Sequence, residues 1–118
     1  VQMINIFEKL LPVELATGIR IHEDFCEELS KKYIVFTVEG EQPVLNGDDR
    51  VIADTIYITL QLIVPKTLDY VEMKYKIRDI LEENEFSVTD IHSYSSDEVN
   101  GTDKIRRIIF EANITVKH

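Results

Sequence analysis

At 118 residues the chain has the size of one domain, enough to bury a single core. Its 22 acidic against 13 basic residues leave a net charge of −9, which argues against a sequence-specific nucleic-acid reader and against an anionic membrane surface as partner. A single cysteine, Cys26, excludes an internal disulfide, and no apolar run approaches the ~20 residues that cross a bilayer.

A hydrophobic fraction of 44% speaks for a folded chain. The opening residues include Glu8 and no basic region, which argues against a signal peptide, with Met3 the expected start. Met3 to Leu11 reads as a short amphipathic helix: Ile4, Phe7, Leu10 and Leu11 share a face, and Pro12 is expected to end it. Gly18 permits a turn, Ile19 to His22 suggests a short edge strand, and Asp24 to Leu29 one or two helical turns.

Tyr33 to Glu39 alternates as a strand, with Ile34, Phe36 and Val38 on one face. Gly40 to Arg50 reads as a long connection, because Pro43 cannot donate to a ladder and Asn46-Gly47 is a tight-turn signal. Val51 to Val64 is the best-patterned strand. Ile52, Ile56, Ile58, Leu60, Leu62 and Val64 fall on one face, broken only by Asp54, with Tyr57, Thr59 and Gln61 on the other. At ~3.3 Å per residue it spans about 46 Å, more than the core of such a domain needs. Ile56 to Val64 is therefore expected in the core and Val51 to Thr55 in a projecting arm.

Pro65 stops that strand. Thr67 is the expected N-cap of a helix over Leu68 to Glu83, with Tyr70, Met73, Ile77, Ile80 and Leu81 as its core stripe and Asn84 as its C-cap. Phe86 to Tyr94 forms a weaker strand, and Ser95 to Asp103 a second acidic turn. Lys104 to Lys117 forms the last strand, with Arg106, Ile108, Phe110, Ala112, Ile114 and Val116 on one face. The expected fold is a single α+β domain over residues 1–118: a four-stranded, mainly antiparallel sheet with helices packed on one face. Its order is α-(β)-β-β-α-β-β, with long hairpin arms. The opposite face carries Tyr57, Ile63, Ile105 and Ile109, an apolar set that makes it a candidate interface.

Motifs for catalysis are weak. His22, His92, His118 and Cys26 come without CxxC or HExxH spacing. Asp69, Glu72 and Lys74 echo the D-x-x-E-x-K of metal-dependent nucleases. On a helix, however, residues two apart point about 200° from each other. Asp48-Asp49 and Asp97-Glu98 do not match a calcium loop and read as solvated turns. No nucleophile elbow or phosphate-binding glycine motif occurs among four glycines. The reading is not an enzyme, with no catalytic residue, cofactor or metal assigned.

The layout resembles the small siphophage and prophage tail-terminator proteins, also called tail-completion or tail-to-head joining proteins, over nearly the full chain. The resemblance rests on the short N-terminal helix and on Tyr33-Ile34-Val35-Phe36, similar to the P-Y-V-V-F strand of that family. It extends to the long strand Thr55 to Val64 running into a helix, and to the closing run R-R-I-I-F-E-A-N-I-T-V from Arg106 to Val116. Lys32 stands where proline commonly precedes the tyrosine, and the Gly40 to Arg50 arm is longer than the family's loops. The resemblance implies a structural virion protein of the phage tail and neck, assembled in the bacterial host cytoplasm. It would form a homo-oligomeric ring, commonly of six copies, that caps the tail tube and meets the head connector. Tail-tube protein and head-connector protein are the implied partners. Six copies would carry about −54, so acidic turns lining a lumen would let DNA pass without sticking. Candidate subunit-interface residues are Pro43, Asn46, Gly47, Asp48, Asp49, Arg50, Tyr57, Asp97, Glu98, Asn100 and Gly101. The alternatives are another virion or neck assembly component, or a metal-dependent phage nuclease.

Overall fold

The computed structural model describes residues 6–23, 32–45, 50–65, 70–97 and 104–117. Helix α1 (Ile6–Thr17) leads into a short strand β1 (Ile21–Glu23), followed by β2 (Tyr33–Leu45) and β3 (Val51–Pro65). Helix α2 (Val71–Glu83) then precedes β4 (Ser87–Asp97) and β5 (Lys104–Lys117). The strands form one sheet in the order β1-β2-β3-β5-β4.

This corrects the expected four-stranded, mainly antiparallel sheet. The sheet has five strands and is mixed, because β1 pairs parallel with β2 through Ile21↔Ile34, His22↔Val35 and Glu23↔Phe36. A strand of three residues is too short to carry a period-two signal. What recruits it is burial: Ile19 and Ile21 are 5% and 4% exposed and join the core.

Period two sorts the long strands cleanly. Ile34 and Phe36 of β2, Ile56 to Val64 at even positions of β3, and Ile108, Phe110, Ala112 and Ile114 of β5 all face the same core. Ile6, Leu10 and Val13 of α1 and Ile77 and Leu81 of α2 join that cluster, so both helices lie on this face. Phe7 packs its ring against Phe36, with centroids 6.2 Å apart. On β3 the aliphatic face leaves the core between Ile56 and Asp54, since Ile52 on the same face is exposed. In β4 the core residues Val88 and Ile91 are three apart, which defeats a period-two reading. A bulge between Val88 and Asp90 absorbs the extra residue and keeps both on one face.

Four boundaries differ from those the sequence suggests. Pro12 does not end α1, which continues to Thr17. The proline removes the bond to the carbonyl of Glu8, an exposed residue, while Leu10 and Val13 on either side stay buried and hold the helix to the core. The helix ends instead at Gly18, whose φ of 69° takes the left-handed position. Its N–H donates to the Glu14 carbonyl at 2.9 Å. The stretch from Gly40 to Leu45 is strand rather than connection, paired through Gly40↔Tyr57 to Leu45↔Val51. A bulge at Glu39 admits Gly40, and Pro43 sits where β2 is the sheet edge, because β1 covers only Ile34 to Phe36. Likewise β4 runs on to Asp97, so Ser95 to Asp97 pair with Arg106 to Lys104 instead of turning. Helix α2 begins at Val71 with Tyr70 as its N-cap, not at Leu68 with Thr67 as cap, and no side chain caps it. The expected Met3 to Asn5 and Asp24 to Leu29 features lie outside the described residues.

The α2 C-terminus is a Schellman motif built on a poor residue. Phe86 N–H donates to the Leu81 carbonyl at 3.0 Å and Glu85 N–H to Glu82 at 3.3 Å. Asn84 Nδ2 adds a bond to the Ile80 carbonyl at 2.8 Å. The left-handed position falls on Glu85, with φ 74°. A non-glycine residue there costs about 1–2 kcal/mol, part of which glycine loses again in chain entropy. Glu85→Gly should therefore stabilise the protein by about 0.5–1 kcal/mol, read as a higher urea midpoint with unchanged slope. An unchanged or lower midpoint would contradict this cap geometry.

Candidate interaction surface

The radius of gyration is 15.9 Å, against about 13.5 Å for a compact chain of this length. The molecule measures 58 × 25 × 22 Å. The β2–β3 hairpin produces this elongation, since it outruns the helix-covered core. All of Glu41 to Leu45 is exposed, as are Arg50, Val51 and Ile52. The arm is three strands wide for most of its length. β5 follows β3 as far as Ala53↔Lys117, and Ala53 is only 4% exposed. Thr55 and Thr115 share a hydroxyl–hydroxyl bond of 2.9 Å within it. The free part is thus narrower than a Val51 to Thr55 arm: among the described residues, β5 pairs with β3 as far as Ala53, leaving Val51 and Ile52 beyond it. Val44, Leu45, Val51 and Ile52 expose 36–52% of their surface there.

The sheet face opposite the helices is less open than its sequence suggests. Ile63 and Val35 are 2% and 8% exposed although both described helices pack on the other face. Ile63 pairs with Tyr33 on one side and Arg107 on the other, and long side chains at such positions shield a central residue. Arg107 also donates to Gln61 Oε1 at 3.4 Å. Tyr57 remains 40% exposed, its hydroxyl donating to Gln42 Oε1 at 3.1 Å. That bond pins an arm residue of β2 to the face of β3.

A second surface lies on the flank of α2. Positions 71, 74, 75 and 78 share one side of the helix, beside the core stripe of Ile77 and Leu81. Val71 and Tyr75 are each 44% exposed. Lys74 Nζ sits 4.9 Å from the centre of the Tyr75 ring and 5.9 Å from that of Tyr70. The guanidinium of Arg78 is 4.8 Å from the Tyr75 ring, and that of Arg106 on β5 is 4.4 Å from the Tyr70 ring. Three cations and two tyrosines thus alternate over α2 and the start of β5. Arg78 also meets Asp79 at 3.1 Å, an exposed pair that contributes little.

The sequence-derived residues divide as follows. Pro43, Arg50 and Tyr57 are exposed on the arm or its base. Asp97 is the last residue of β4, opposite Lys104. Asn46, Gly47, Asp48, Asp49, Glu98, Asn100 and Gly101 lie outside the described residues, as do Cys26, Asp69 and His118. Glu72 is exposed on α2 while Lys74 stacks over tyrosine rings, so the two do not converge on one point. His92 contacts Asp90 at 3.2 Å on the surface, and no group of three or more potential metal ligands occurs among the described residues. Sequence reading missed the apolar arm end and the α2 flank. The spacing of Val71, Lys74, Tyr75 and Arg78 shows that they share a helix face, but not that Arg106 joins them across from β5.

Fold and surface together define an elongated α+β module with an apolar-ended arm and, on α2 and the start of β5, a cationic, aromatic flank. No family model matches the chain, and no curated protein is significantly similar to it.

Proposed function

We propose that this protein is a structural subunit of the phage neck, forming a ring that caps the tail tube and joins it to the head connector. The observation that carries the reading is the arm: a hairpin that leaves the core at Ile56 and exposes apolar side chains at its end. An arm end whose described side chains beyond Ala53 are exposed has little to contribute to the monomer, and exposed apolar ends of this kind mark protein contacts. The succession of N-terminal helix, long strand into α2 and closing hairpin is the layout that resembles tail-terminator proteins. The net charge of −9 suits a ring whose lumen passes DNA.

Co-sedimentation with assembled tail tubes tests it. The protein should pellet with tubes at a fixed ratio, set by tube number rather than tube length, because a cap binds ends. Binding in proportion to tube length, or none at all, would refute the capping role.

A further inference from the structure

We propose that Arg106 and Lys74, set against the Tyr70 ring, form a binding site for an oxyanion, a carboxylate or a phosphate. The proposal is independent of the ring reading. Arg106 is out of character with its side of the sheet. On β5 it shares a face with Ile108, Phe110, Ala112 and Ile114, all buried in the core. Its Nε is buried and has no hydrogen-bond partner. Its guanidinium lies 4.4 Å from the centre of the Tyr70 ring, and Tyr70 itself packs against the core. The ring attracts the positive charge but leaves the Nε–H without an acceptor. On a residue that stays charged at every physiological pH, an unmet buried donor costs at least as much as a cation–π contact returns.

Lys74 brings a second charge to the same place. Its Nζ stands 5.9 Å from the centre of the Tyr70 ring and 4.9 Å from that of Tyr75. Among the described residues no carboxylate pairs with Lys74 or Arg106, and Asp79 is engaged by Arg78. Two cations drawn to one ring repel each other, and an anion between them relieves that repulsion. Both residues are only partly buried, which leaves the pair reachable from solvent. An arginine fork matches the two oxygens of a carboxylate or phosphate, and a lysine adds a point charge. Single-stranded nucleic acid fits less well, because its bases stack on open ring faces. Here each ring already carries two cations, Arg78 being the second over Tyr75 at 4.8 Å. The net charge of −9 also opposes a polyanion.

Titration with inorganic phosphate, followed by amide NMR shifts, tests this, with sodium chloride holding the ionic strength constant. Shifts at residues 70, 74 and 106 should saturate with a dissociation constant of about 1–10 mM. Acetate forms a second arm. Saturation by acetate as well matches the carboxylate of a partner chain, and saturation by phosphate alone matches a phosphoryl group. Arg106→Met should weaken binding at least ~10-fold. It should also raise the urea midpoint, because methionine keeps a contact with the Tyr70 ring and removes the orphaned N–H. Lys76→Gln, exposed on the same helix, should bind as wild type does. A lowered midpoint in Arg106→Met would make Arg106 a structural residue and overturn the proposal. Shifts in wild type that fail to saturate by about 50 mM of either anion would overturn it as well. So would an Arg106→Met variant that binds like wild type, or an equal loss in Lys76→Gln.

Discussion

Phe110→Ala is expected to lower stability by about 3–5 kcal/mol, with a fall of roughly 10–20 °C in the thermal midpoint. Phe110 sits at the centre of β5, fully buried, opposite Leu60 on β3 and Ile91 on β4. It is one of two phenylalanines among the largest wholly buried side chains, and no neighbouring strand can collapse into its volume without breaking register. For a domain whose total stability is on the order of 5–15 kcal/mol this is a large fraction. The adjacent Ile109 faces the other side of the sheet and is only partly buried, so Ile109→Ala should cost under about 2 kcal/mol. Denaturant titration of both variants reads the contrast. Equal losses would mean that the two faces are wrongly assigned.

Deleting residues 42–49 should have the opposite profile: a small loss of stability and a complete loss of assembly. The deletion removes strand residues that are all exposed among those described. Ile56, Ile58, Leu60, Leu62 and Val64 keep their partners on β5, and Ile58 and Leu60 keep theirs on β2. Ala53 loses its cross-strand partner Val44, and the Tyr57–Gln42 bond is lost with the arm. Together these changes should cost under about 2 kcal/mol. The shortened protein should melt cooperatively and remain monomeric at concentrations where wild type associates. An unfolded deletion variant would show that the arm is part of the folding unit, and a fully assembling one that contact is made elsewhere.

These two outcomes follow from features of unequal legibility. β3 was readable because one of its faces is wholly aliphatic from Ile56 to Val64 while Tyr57, Thr59 and Gln61 line the other. Burial on one side only is the condition under which period two shows in a sequence. β5 was readable for the same reason. The extension of β2 through Gly40 and Pro43 was not, since both residues are turn formers. An edge position and a bulge let the strand tolerate them, and neither is visible before the topology is known. The edge strand expected at Ile19 to His22 appears as the three-residue β1 at Ile21–Glu23, too short to reveal its direction, and its parallel pairing turned an expected antiparallel sheet into a mixed one. Pro12 misled in the same way, because a proline's cost in a helix depends on what its neighbours bury. As for the surface, Pro43, Arg50 and Tyr57 came from the sequence through turn chemistry and an exposed face. The cationic flank did not, because Lys74 and Arg78 look like ordinary solvated helix residues until Tyr70 and Arg106 are brought together across two elements.

The central claim, a ring that caps a tube, is tested most directly by electron microscopy of tail tubes assembled with the protein. The account predicts a ring-shaped density at one end of each tube, halted tube growth, and loss of both with the arm-shortened variant. Bare ends on tubes that keep growing in the presence of excess intact protein would contradict it.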